Sequence, residues 1–135
     1  MERAVFRRQR LDPRARQVAL QIGGSRLLLG VMTLLVTRPA LRFLGFRDPE
    51  PSAVALAKLA GGRDLALGAL TVAARDERRE LRTLLLVSSA CDVADAVALG
   101  LSARHPETRR AGLGGIVSGT AAALAGFWAW RRLGD

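Results

Sequence analysis

Four apolar stretches, residues 18–36, 52–74, 83–103 and 111–130, alternate with arginine-rich clusters at 2–16, 38–50, 75–82, 104–110 and 131–135. Each stretch is close to the roughly 20 residues that carry a helix across about 30 Å of hydrocarbon. The pattern predicts an all-α chain: an integral membrane four-helix bundle over residues 18–133, with a basic cytoplasmic or interfacial segment at 1–17. Stretch 111–130 has no charge and ends in Trp128 and Trp130, followed by Arg131 and Arg132. Aromatic rings beside basic residues mark a membrane interface. The other three stretches carry charge. Soluble bundle helices show a polar face at every turn, however, whereas residues 27–36 and 65–74 offer only threonine as relief.

The formal net charge of +9 first suggests nucleic acid as a partner, so the distribution of the bases decides. Alternate loops of the expected bundle hold twelve arginines on one side and six on the other. That asymmetry puts both termini in the cytoplasm of a multi-pass protein in the inner (plasma) membrane. The N-terminal arginines Arg3, Arg7, Arg8 and Arg10, interspersed with Val5 and Phe6, suit anionic lipid headgroups. No aromatic stacking set or nucleic-acid module accompanies them, which argues against nucleic acid. In the loop at 38–51, Leu41, Phe43, Leu44 and Phe46 are expected to dip into the interface before Pro49 and Pro51 stop any helix. Arg26 interrupts the first apolar run and no small-x-small cleavage site follows it, so the first helix is expected to be retained.

Six charges fall inside the expected spans: Arg26, Lys58, Arg63, Asp64, Asp92 and Asp95. A lone charge at the bilayer centre costs on the order of 2.5–3.5 kcal/mol, so pairing is the economical arrangement. Counting depth along alternating helices puts Arg26, Arg63, Asp64 and Asp92 in one layer, with Lys58 and Asp95 nearer the outer face. On the third helix Ser88, Asp92 and Asp95 share a stripe. On the second, Asp64 shares a face with Gly61 and Gly68, while Arg63, about 100° round, addresses a different neighbour. Gly23 and Gly30 flank Arg26 similarly. Gly115 and Gly119 form a small-residue ridge suited to packing within the chain, to self-association or to a membrane-protein partner.

No cofactor or metal is expected, since Asp92 and Asp95 one turn apart make an incomplete oxygen shell for Mg²⁺. Cys91 is the one cysteine, which excludes a disulfide within the chain. His105 falls in a polar loop, and no histidine lies near Ser88 or Ser89 to form a nucleophile–base pair.

The runs LLLGVMTLLVTRPALRFLGF, LAGGRDLALGALTVAA and CDVADAVALG resemble a family of small four-span membrane proteins of unknown function from high-GC bacteria. The marks are Arg26 with Gly30, the run from Gly62 to Gly68, and Asp92 with Asp95; the resemblance extends from Arg26 to about Trp130. It implies a membrane topology and no assigned activity. Two functional readings follow from the residues. One is a non-enzymatic accessory or structural subunit held by a buried ion-pair network. The other is a small carrier or membrane enzyme using Asp92 and Asp95 in a proton path or ligand pocket.

Overall fold

A computed structural model describes residues 11–43 and 45–134. Arg3, Arg7, Arg8, Arg10, Val5, Phe6 and Leu44, with the roles expected of them, lie outside the described residues. The fold is all-α, with helices α1 (Pro13–Leu35), α2 (Thr37–Phe43), α3 (Pro51–Ala73), α4 (Arg78–Ser102) and α5 (Arg109–Arg132).

This corrects the four-helix bundle expected from the sequence. Five helices form among the described residues, and three of them, α1, α4 and α5, are long and apolar enough to cross a membrane. The fifth helix is α2. Pro39 has no N–H to offer the Leu35 carbonyl, so α1 ends at Leu35 and the chain restarts as a seven-residue helix. The missing span is α3, because every 18-residue window within it includes Lys58, Arg63 and Asp64. An odd number of candidate spans removes the ground for placing both termini in the cytoplasm.

Local signals set the helix ends. Asp12 caps α1, its Oδ1 accepting from the Arg14 and Ala15 amides at 2.9 and 3.4 Å, with Pro13 in the first turn. Beyond α2 the Phe46 amide donates to the Leu41 carbonyl at 3.0 Å, and Gly45 takes φ +107°, a conformation that favours glycine. Leu41 turns inward and is buried, whereas Phe43 is 91% exposed, so the hydrophobic residues of this loop do not act as one interfacial set.

The long helices form two tight antiparallel pairs, α1 with α3 and α4 with α5. Glycine makes both pairs close. A Cβ at Gly30 would lie 2.6 Å from the Leu65 amide nitrogen and 2.7 Å from the Gly61 carbonyl oxygen. One at Gly68 would lie 2.7 Å from the Gly23 carbonyl oxygen. In the other seam a Cβ at Gly112 would meet the Leu99 carbonyl at 2.5 Å, and one at Gly119 the Asp92 carbonyl at 2.9 Å. Gly115 and Gly119, expected as a packing ridge, therefore face α4 within the chain.

The two pairs meet more loosely, through α1 against α5 and α3 against α4. Ala15, Ala19, Leu81, Leu85, Ala129 and Leu133 form the buried cluster at one end of the molecule, while Leu35, Leu59, Val117 and Leu124 are exposed. Small residues thus concentrate inside and large apolar ones outside. In water such a surface would be an aggregation hazard, whereas lipid accommodates it and small interior residues let helices approach.

Candidate functional site

The interface between the two pairs holds a connected set of charges. Arg26, 5% exposed, projects from α1 between Gly23 and Gly30, where the close seam brings α3 alongside. Its Nη1 donates to Asp64 Oδ1 of α3 at 2.5 Å. Its Nη2 donates to Asp92 Oδ1 of α4 at 2.5 Å and to the Ser88 carbonyl oxygen at 3.1 Å. One guanidinium therefore satisfies acceptors on two other helices, a task suited to its planar, multi-donor fork.

Arg63 of α3 continues the network. Nη1 and Nη2 bind the two carboxylate oxygens of Asp95 at 3.0 and 2.6 Å, and Nη2 also reaches Asp64 Oδ1 at 3.2 Å. The order of contact is Asp95, Arg63, Asp64, Arg26, Asp92. Burial rises along it as far as Arg26: side-chain exposure is 41% at Asp95, 32% at Arg63, 19% at Asp64 and 6% at Arg26, with 13% at Asp92. Arg26–Asp64 and Arg63–Asp64 lie within the α1–α3 pair. Arg26–Asp92 and Arg63–Asp95 cross to α4.

Lys58 is placed differently from the sequence expectation. It is exposed and forms no ion pair with any described residue, while Asp95 binds Arg63 instead. At 100° per residue, Lys58 is turned about 140° from Arg63 and 120° from Asp64. Equal depth along the helix does not bring it to the same face. Without Lys58 the layer holds two arginines and three aspartates. Ser88 contributes its carbonyl; its hydroxyl, like that of Ser89 and like Arg63 Nε, is buried with no hydrogen-bond partner among the described residues.

At the end of the molecule that carries Leu11 and Leu133, residues given no site role from the sequence converge. Arg16 binds Asp76 at 2.9 Å and the Arg75 carbonyl at 3.0 Å, tying the start of α1 to the α3–α4 turn. The Arg82 guanidinium lies 5.0 Å above the Trp130 ring, and Arg132 lies 5.9 Å from that of Trp128. Spacing on α4 alone gives no signal for the Arg82–Trp130 contact, because its two halves sit on different helices.

Each carboxylate of the layer accepts from arginine, so the arrangement is suited to joining helices. Among the described residues no group of three or more histidine, cysteine, aspartate or glutamate side chains is placed to hold a metal.

Residues 23–131 match a family described as a domain of unknown function, DUF4267. No curated protein and no solved structure matches the chain. The matched stretch takes in Arg26, Arg63, Asp64, Asp92 and Asp95 together with both glycine seams, and on this match the chain belongs to the DUF4267 family.

Proposed function

We propose that the protein is a small multi-pass component of the plasma (inner) membrane with a non-enzymatic accessory or structural role, its two helix pairs joined by the charged layer. The observation that carries this reading is Arg26, which binds α3 and α4 at once from a buried position on α1. A group so engaged is a joint. The three apolar helices and the outward-facing leucines and valines support the membrane setting.

Two measurements on the full chain test the proposal. The protein should stay in the membrane fraction through alkaline carbonate washing and be released by detergent; release by carbonate alone would end the membrane assignment. In detergent, Arg26→Gln should lower the unfolding temperature markedly, and wild-type unfolding would remove the joint.

A second reading rests on Asp95. Its side chain is 41% exposed, so the outer end of the network opens away from the helix interior, as a carrier or membrane enzyme with a proton path would need. Under that reading Asp95→Asn leaves folding intact and changes proton flux in reconstituted vesicles.

A further inference from the structure

We propose that the cleft between the first turns of α4 and the last turns of α5 binds an anionic phospholipid, its phosphate among arginines and one acyl chain along the adjoining groove. The cleft measures about 660 Å³, and its walls include Arg78, Arg79, Arg82, Leu86, Val87 and Trp130. That volume is in the range of small-ligand sites. Among the described residues no acidic side chain lines it. Arg78 Nε donates to the Leu133 carbonyl and ties the floor of the cleft across the two helices.

The charge there is available. Arg79 is exposed and Arg82 half-buried; neither forms an ion pair with a described residue, and Arg82 Nε has no hydrogen-bond partner among them. Trp130 holds Arg82 by its ring face, which leaves the guanidinium donors unspent.

Leu86 belongs to this cleft and to a second groove of about 560 Å³ between α4 and α5. The second groove continues past Val93 and Val97 on one side and Leu124 and Ile116 on the other, ending near Gly100. From Leu86 to Gly100 it covers about 21 Å at 1.5 Å per residue. Half a hydrocarbon core is about 15 Å deep, so one acyl chain of the same leaflet fits its length. The continuity of a basic head with an apolar tail selects a lipid over a free anion. A zwitterionic head would bring its own cation against Arg79 and Arg82, which opposes it. The cleft also opens at the end bearing Trp128, Arg131 and Arg132, the residue types of a membrane interface.

The test uses the full chain purified in neutral detergent, with thermal unfolding and native mass spectrometry as readouts and phosphatidylglycerol, phosphatidylcholine and inorganic phosphate as probes. Phosphatidylglycerol should raise the unfolding temperature and be retained as a discrete adduct; the other two should do neither. Arg79→Gln with Arg82→Gln should weaken phosphatidylglycerol binding by about thirty-fold, each arginine near a lipid surface being worth about five-fold. Arg104→Gln with Arg109→Gln, at the opposite end, should leave it unchanged. Should the first double variant not fold, Arg79→Glu alone carries the test, because Arg79 is exposed. Equal responses to the two lipids, a phosphate response matching that of phosphatidylglycerol, or full lipid binding by the arginine variants would overturn the proposal.

Discussion

Arg26 of α1 meets Asp92 of α4 at 2.5 Å, across the interface between the two helix pairs. The side chain joins the α1–α3 pair to the α4–α5 pair in the middle of the helices, away from the buried cluster at one end. Loss of either partner should therefore be felt in how the two helix pairs hold together.

The two losses should be unequal. Arg26→Gln strips Asp92 of its cation in a buried site, and breaking a buried pair from one side costs about 3–5 kcal/mol. Asp92→Asn leaves Arg26 with Asp64 and the Ser88 carbonyl, so it should cost less. The double change Arg26→Gln with Asp92→Asn should recover part of the larger loss. Unfolding in detergent of the three variants measures this; strictly additive losses would contradict a direct pair.

Arg63 and Lys58 should separate cleanly. Lys58→Gln should change stability by less than about 0.5 kcal/mol, as exposed substitutions commonly do. Arg63→Gln removes the two-point grip on Asp95 and should cost more, discounted from a buried value because both side chains are partly exposed. The same unfolding assay ranks them, and equal effects would place Lys58 in the network after all.

Glycine substitutions should sort by what a methyl group would strike. Gly30→Ala and Gly68→Ala drive a Cβ into backbone of the facing helix and should destabilise by about 1–3 kcal/mol. Gly62→Ala meets nothing within 4 Å and should be neutral or stabilising by up to about 1 kcal/mol through helix propensity. Gly119→Leu should destabilise the monomer itself, since its seam is internal. A change confined to oligomer size would assign that ridge to self-association.

At the turn between α3 and α4, hydrogen bonding from Arg16 holds the Asp76 carboxyl below its ordinary value of 3.8. A lowered value means the folded state favours the ionised form. The contribution is present at neutral pH and fades as pH falls below the ordinary carboxylate range through the folded value. Thermal unfolding of wild type and Asp76→Asn should accordingly differ slightly at pH 7 and converge in acid. Both partners face solvent, so salt should shrink the difference further. A gap that widens on acidification would refute the assignment.

Helical periodicity alone places Gly23, Arg26 and Gly30 on one stripe, and Gly61, Asp64 and Gly68 on another. These stripes face each other in the α1–α3 seam. The 100° step between Arg63 and Asp64 likewise separates a residue reaching α4 from one reaching α1. Spacing within a helix could not say which helix stands where. Depth counting put Lys58 with Asp95 because it fixes height and leaves azimuth open. Sequence alone puts the stop at Pro49 and Pro51, whereas the break comes at Pro39, and the restart as α2 depends on closures such as Phe46 to Leu41 that span several residues. The excess of aspartate over arginine also appears only when Lys58 is seen to point elsewhere.

The glycine seam between α1 and α3 gives the molecule a register. Backbones that close have only a few positions in which a Cβ-free site faces a carbonyl, and sliding by one helical turn moves everything along the axis by about 5.4 Å. Such a slide would part Arg26 from Asp64 and Asp92 in the same motion, and the carboxylate one turn further along α4, Asp95, is already held by Arg63. The joint behaves like a key with a single notch: intermediate alignments gain neither the close backbone fit nor the charge pairing, so correct docking of the helix pairs is recognised all at once.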